Sequence, residues 1–275
     1  MSTAISTAKE KWVRAIFSFI PKHLAGGETR RRLVDYGFIT AFVVLIVIGA
    51  WAADVFFTQA NISNLFRQIV SNGLISLGML IVILTGGIDL SVGSIVALGG
   101  ALSAGMSDKV GIGPAILIAL AFGAGAGLVN GVVVARFKLQ PFIVTLATMG
   151  IVRGFVFVYT ETPLVSKHPG FRILGASSVG PVPVAMIIML ICFALVWFFL
   201  NRTPTGRATV AIGGNKEAVW LAGINVQRTI ILAYVLSGLF SALAGAILVS
   251  RLGIAQPSLG IAYELDAIAA CVIGG

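Results

Sequence analysis

Long apolar runs separated by short polar or glycine-rich stretches follow one another from Tyr36 to the end of the chain. About 20 apolar residues suffice to cross a ~30 Å hydrocarbon core as a helix. By that measure the pattern predicts about eight spans, at residues 36–57, 65–84, 92–106, 112–135, 141–160, 182–200, 229–249 and a last one opening near Ile261. The runs are too long and too uniformly apolar for the alternating strands of a barrel, and an open sheet would leave backbone groups unpaired in lipid. The expected fold is therefore all-α, a polytopic integral membrane bundle.

Composition excludes the soluble classes: 58% of residues are hydrophobic and 11% charged, and the mean hydropathy is +1.03. Residues 1–35 differ in kind, with seven Lys/Arg against three acids and no apolar stretch fit for a cleaved signal peptide. They read as a cytoplasmic tail preceding a membrane domain at 36–275. Span parity then places 136–140 and the long 201–228 segment on the same side, and these three regions hold 13 of the 19 Lys/Arg. That bias is the positive-inside pattern. It accounts for the net charge of +9 without a nucleic-acid partner, and the tail can also lie on anionic membrane lipid.

Cys192 and Cys271 fall inside apolar spans, where they act as small hydrophobes. His23 and His168 have no second ligand at metal-binding spacing, so neither a metal nor a cofactor is expected. Small residues recur at helical spacing as Gly123, Gly127 and Gly131, as Ser237, Ser241 and Gly245, and as Gly93, Ala97, Ala101 and Gly105. Such stripes let helices approach closely. Packing within one subunit is the simpler expectation, and a dimer face or sliding contact the alternative.

Polar groups at membrane depth are costly unless paired or facing a cavity. Asn72, Asn130 and Arg153 lie within spans, with Thr145 and Thr148 ahead of Arg153 on the same run. Arg153 can line a polar pathway, or pair with a carbonyl or acid. In TGGIDLSVGS, residues 85–94, Gly86 and Gly87 suit a helix stop, and Asp89 or Ser91 suits an N-cap for the next helix. Broken helices with polar, glycine-rich junctions also form translocation sites. Asn72, Asp89, Ser91, Asn130, Thr145, Thr148 and Arg153 are thus the pathway candidates.

Four runs carry a resemblance: TGGIDLSVGSIVALGGALSAGM (85–106), LQPFIVTLATMGIVRG (139–154), TPTGRATVAIGGNKEAVWLAGINVQRT (203–229) and LSGLFSALAG (236–245). Together they resemble the permease subunit of bacterial ABC importers for monosaccharides, a family that includes ribose, xylose, arabinose and galactose systems. The resemblance implies a permease of the bacterial inner membrane, with its N-terminus in the cytoplasm. It further implies a second permease subunit as a homodimer partner, a periplasmic sugar-binding protein and separate ATP-binding subunits. ATP would be bound by that partner, since no Lys here follows a Gly and no Walker A motif exists. The chain is accordingly expected to transport rather than catalyse. An ion-coupled secondary transporter or channel is the alternative, and the lack of paired acids in the predicted spans counts against it.

ABC importers share a cytoplasmic EAA-x-x-x-G docking helix, which Glu217, Ala218 and Gly223 match, with Val219 replacing the second Ala. The resemblance makes 201–228 an ATPase-coupling loop. Thr205-Gly206-Arg207 and Gly213-Gly214-Asn215 are expected to supply turns, and Asn215 to cap the docking helix. The family pattern also implies further helices after the CVIGG run that closes this sequence.

Overall fold

The computed structural model describes residues 37–274, in two units that divide between residues 61 and 62. The predicted tail, 1–35, lies outside the described residues. In the first unit, α1 (Gly37–Ala52) stops short of the predicted 36–57 span. Asp54 interrupts the apolar run, and the chain folds back, with Phe56 N–H donating to Ala53 O (3.0 Å). The Phe56 ring occupies the space beside Gly49 where a side chain would otherwise stand.

Helix α2 (Gln59–Leu84) leads into the second unit. There α3 (Val92–Val110), α4 (Ile112–Phe137), α5 (Pro141–Tyr159) and α6 (Ile173–Ala176) follow. A two-stranded hairpin, β1 (Ser178–Val179) with β2 (Val182–Pro183), precedes α7 (Val184–Arg202). The chain closes with α8 (Pro204–Gly214), α9 (Lys216–Leu221), α10 (Val226–Leu252) and α11 (Tyr263–Gly274). The all-α expectation holds. Among the described residues, five helices, α2, α4, α5, α7 and α10, are long and apolar enough to cross a membrane by themselves. The predicted span at 92–106 coincides with α3, which carries Ser94, Ser103 and Ser107, but every residue from Val92 to Ala104 is buried. Protein rather than lipid surrounds it, so its polarity meets no hydrocarbon.

Small residues bring α10 against α4 and α3 inside this unit, whereas the stripe from Gly93 to Gly105 faces elsewhere, with Gly93 on Gly260 and Gly105 on the Tyr159 hydroxyl. Backbone contacts leave no room for a Cβ at Gly127 against the Tyr234 carbonyl, at Gly238 against Gly123, or at Gly245 against Val96 and Gly100. Helix α10 therefore packs at backbone distance on α4 along one side and on α3 along another. A side chain inserted there must separate the helices. Gly127→Leu is expected to lower the melting temperature of the purified protein and to cost at least about 1–3 kcal/mol. Gly125→Leu is the control, because nothing lies within 4 Å of a Cβ at Gly125; equal melting of the two variants would contradict this packing.

The basic linkers share one end of the bundle. Residues of the α4–α5 junction and of α9, including Lys138, Gln140, Lys216 and Glu217, line one groove of about 560 Å³, and Gly213 packs on the Leu84 carbonyl. The 201–228 segment is mostly helical. Thr205, Gly206 and Arg207, expected as a turn, form the first turn of α8 instead, because Pro204 occupies its first position and Thr203 Oγ1 accepts from Gly206 N–H (3.0 Å). At the opposite end, Leu164 and Ala255 exchange both backbone bonds (2.8 Å each). Asp108 there accepts from Lys167 N–H (3.0 Å).

Candidate functional site

Helix α2 ends in a Schellman motif. Gly86 has φ +79°, Gly87 N–H reaches Val82 O (3.2 Å) and Gly86 N–H reaches Ile83 O (2.8 Å). This is the helix stop that the glycine pair predicts. The chain then turns back into the bundle, carrying Asp89 with it.

Asp89 is fully buried and held by three uncharged donors. Its Oδ1 accepts from Ser91 N–H (3.0 Å) and Ser91 Oγ (2.6 Å), and its Oδ2 accepts from Ser237 Oγ (2.8 Å). Ser91 Oγ in turn accepts from Asn130 Nδ2 (2.9 Å). All four residues are inaccessible to solvent. Ser237 is the twelfth residue of the 27 in α10, so the cluster sits near the middle of that helix. A carboxylate there needs compensation, which the three donors supply together with the positive N-terminal end of α3 just beyond Ser91. The capping expectation is corrected in part: the Ser91 side chain caps no α3 amide, since its hydroxyl is committed to Asp89 and Asn130. The result ties α2–α3, α4 and α10 at one point. Thr145 adds α5, with Oγ1 bonded to Pro141 O (2.9 Å) and within 3.3 Å of Ile88 O.

Arg153 serves a different segment. Its Nη1 donates to Pro257 O and to Leu259 O, both at 2.7 Å. Of the partners the sequence left open, the structure supplies carbonyls. They belong to the non-helical stretch 253–262 between α10 and α11. Within it Gly260 lies so close to Gly93 that neither has room for a Cβ, and Glu264 in the first turn of α11 also borders Gly93. Helices α3 and α11 thus begin beside one another inside the unit. Irregular backbone at membrane depth persists only when buried in protein or lining a cavity, and the two carbonyls would be unpaired without the guanidinium.

The other candidates stand apart. Thr148 is buried but makes no side-chain hydrogen bond among the described residues. Asn72 lies on another face of α2, beside Gln68 and Ser76, along a cavity of about 530 Å³. At the basic end, Asn215 Oδ1 caps α9 by accepting from Ala218 N–H (3.0 Å), while Arg207, Glu217 and Ala218 are exposed. Gly223 (φ +80°) ends α9 in a second Schellman motif, with Ile224 N–H to Val219 O (3.3 Å) and Gly223 N–H to Trp220 O (2.9 Å). Val219, the departure from the docking pattern, is the buried residue that seats α9. Its neighbours Trp220 and Leu221 are 68% and 77% exposed.

Sequence reasoning missed several of these. Ser237 was legible only as one of a small-residue stripe. Glu264 was hidden in a span whose start had no sharp signal, and the Pro257 and Leu259 carbonyls carry no residue signature at all.

The family model described as "Branched-chain amino acid transport system / permease component" matches residues 61–275. This chain belongs to that permease family. The match covers the unit that holds the Asp89 cluster, the Arg153 contact and α9. Among curated relatives, the ribose import permease protein RbsC of Bacillus subtilis is 47% identical over 243 residues, 86% of this chain and 75% of the relative. The protein of the same name from Haemophilus influenzae is 44% identical over 89% of this chain and 78% of its own length. The L-arabinose transport system permease protein AraH of Escherichia coli is 40% identical over 88% of this chain and 74% of its own. No solved structure matches the chain. The permease is a multi-pass protein of the inner membrane, a transport component and not an enzyme.

Proposed function

We propose that this permease passes a monosaccharide into the cytoplasm as one of two copies in an importer. A periplasmic sugar-binding protein delivers the sugar, and separate ATP-binding subunits drive the cycle. The observation that carries the reading is the similarity to relatives named as ribose and arabinose permeases at 40–47% identity along most of the chain. The Lys/Arg bias places the N-terminus, the 136–140 turn and 201–228 in the cytoplasm. Residues 201–228 are then the coupling segment, and α9 is its docking element: a short capped helix, seated by one buried valine, presenting Trp220 and Leu221 outward. Alternating access follows when ATP-driven closure of the partner moves α9 and, through Gly213 on Leu84, the end of α2.

The test uses the complete permease with its ATPase. Gly223→Leu is a poor probe because the positive φ at 223 would strain leucine and unwind α9. Trp220→Asp and Leu221→Asp leave the fold alone, since both side chains project from it. Each is expected to insert normally and to lose co-purification with the ATPase by about tenfold or more, as removal of an apolar anchor at an interface centre does. Wild-type co-purification and sugar-stimulated ATP hydrolysis in both variants would refute the docking assignment.

A further inference from the structure

We infer that the Asp89 cluster contains a binding site for a buried, ordered water, held by Tyr234 and Asn130. Both residues are 0% exposed, yet among the described residues neither Tyr234 Oη nor Asn130 Oδ1 has a hydrogen-bond partner. Buried polar atoms without a partner are rare, because each has given up its hydration for nothing. Their position is specific. Tyr234 precedes Ser237 by three residues on α10, so the two side chains leave the same face of that helix, and Ser237 Oγ donates to Asp89 Oδ2 (2.8 Å). The tyrosine ring carries its hydroxyl to the end of α2, where a Cβ on Gly87 would stand 2.5 Å from Oη. Asp89 follows Gly87 by two residues. Asn130 enters from α4, its Nδ2 donating to Ser91 Oγ (2.9 Å).

Local rearrangement satisfies neither atom. Turning the Asn130 amide over would set Oδ1 against Ser91 Oγ, whose proton already goes to Asp89 Oδ1 (2.6 Å), so two acceptors would face each other. The Tyr234 oxygen is fixed by a rigid, enclosed ring, and rotation of the hydroxyl redirects only its proton. Ser94 Oγ, one turn along α3 from Ser91, is also buried without a partner, but it differs in kind. Rotation about χ1 brings a serine hydroxyl onto the carbonyl of the preceding helical turn.

The chemistry selects the ligand. Tyr234 offers a donor and Asn130 Oδ1 an acceptor, so the occupant must accept from one and donate to the other. Water does both in the smallest volume, and a buried water makes about three hydrogen bonds. Asp89 can supply the third, since its carboxylate holds three donors and has lone-pair capacity for about four. A sodium ion fits less well. It would draw on oxygen lone pairs and leave the Tyr234 proton without an acceptor, and the three donors already compensate the carboxylate. The inference holds whatever solute the permease carries.

The sign of one substitution tests it. Tyr234→Phe removes a single oxygen and keeps the ring, so its effect on the complete permease in detergent depends on what that oxygen meets. Loss of an unpaired buried hydroxyl would raise the thermal midpoint, whereas loss of one bound to water strands the water and lowers it. The expected result is a midpoint at least about 2 °C below wild type. The second measurement is a cryo-EM map of the complete permease with its ATPase, at a resolution that shows ordered water. Density is expected about 2.6–3.2 Å from both Tyr234 Oη and Asn130 Oδ1. The map decides alone if the phenylalanine variant yields no folded protein. An unchanged or raised midpoint in Tyr234→Phe would overturn the inference. So would a map without that density, or one in which Tyr234 Oη bonds Asp89 directly. Density surrounded by six or more oxygens at about 2.3–2.6 Å would identify a cation in place of water and overturn it as well.

Discussion

Asp89→Leu is expected to abolish uptake and to leave little folded permease in detergent. The substitution strips the acceptor from Ser91 N–H, Ser91 Oγ and Ser237 Oγ together, at a site no water reaches from outside. Each buried donor left unpaired costs about 1–3 kcal/mol, and a whole domain has only about 5–15 kcal/mol of stability. The hydroxyls can rotate toward carbonyls, but the Ser91 amide is fixed by the backbone. Asp89→Asn separates the roles of shape and charge. Its Oδ1 still accepts from Ser91, and the Ser237 hydroxyl can turn to accept from the new Nδ2, so the amide rebuilds the lock without the charge. Asn is therefore expected to restore folded protein and most uptake. A folded, transport-dead Asn variant would show that the charge itself is needed, and an Asp89→Leu variant with wild-type stability would show that the cluster ties nothing together.

Arg153→Leu carries the second large effect, and here insertion and transport should part company. Removing a central arginine relieves about 2.5–3.5 kcal/mol on insertion scales, so membrane levels should hold or rise. The carbonyls of Pro257 and Leu259, however, each lose a hydrogen bond to a charged donor worth about 1.5–3 kcal/mol, and the 253–262 stretch loses its tie to α5. Uptake is expected to fall below detection while backbone hydrogen exchange in that stretch accelerates. Because both bonds come from one nitrogen, a lysine ammonium can in principle make them from a shorter reach. Arg153→Lys should therefore retain an intermediate uptake, which distinguishes carbonyl anchoring from a requirement for the planar guanidinium. Wild-type uptake and unchanged exchange in the leucine variant would reduce Arg153 to a peripheral role.

Much of the helical plan was written in the chain, because a hydrocarbon solvent leaves few alternatives to a helix for a long apolar run. The starts of α4, α5, α7 and α10 fall within three residues of the predicted span starts. The glycine stop at 86 and the Asn215 cap could be read for the same reason: each is local chemistry, satisfied by a neighbour a few residues away. The prediction of one long first span failed where the decisive contact, Phe56 folding back on Gly49, depends on a turn rather than on hydropathy.

The candidate site was legible only as a set of costly residues. Asp89, Asn130 and Arg153 stood out because polar groups at membrane depth demand partners, but a demand does not name who meets it. That Asp89 joins Ser237, 148 residues away in the sequence, and that Arg153 holds carbonyls 104 and 106 residues away, followed from which backbones approached one another at small residues. Small-residue stripes are nearly interchangeable as sequence, and only close approach in space fixes what each one meets. The sequence by itself determined the class of protein, its helices and the residues that could not remain unpartnered, since each follows from transfer energies and local hydrogen bonding. The tertiary structure decided the partners and the two irregular segments that meet beside Gly93, because these depend on long-range packing that hydropathy does not encode.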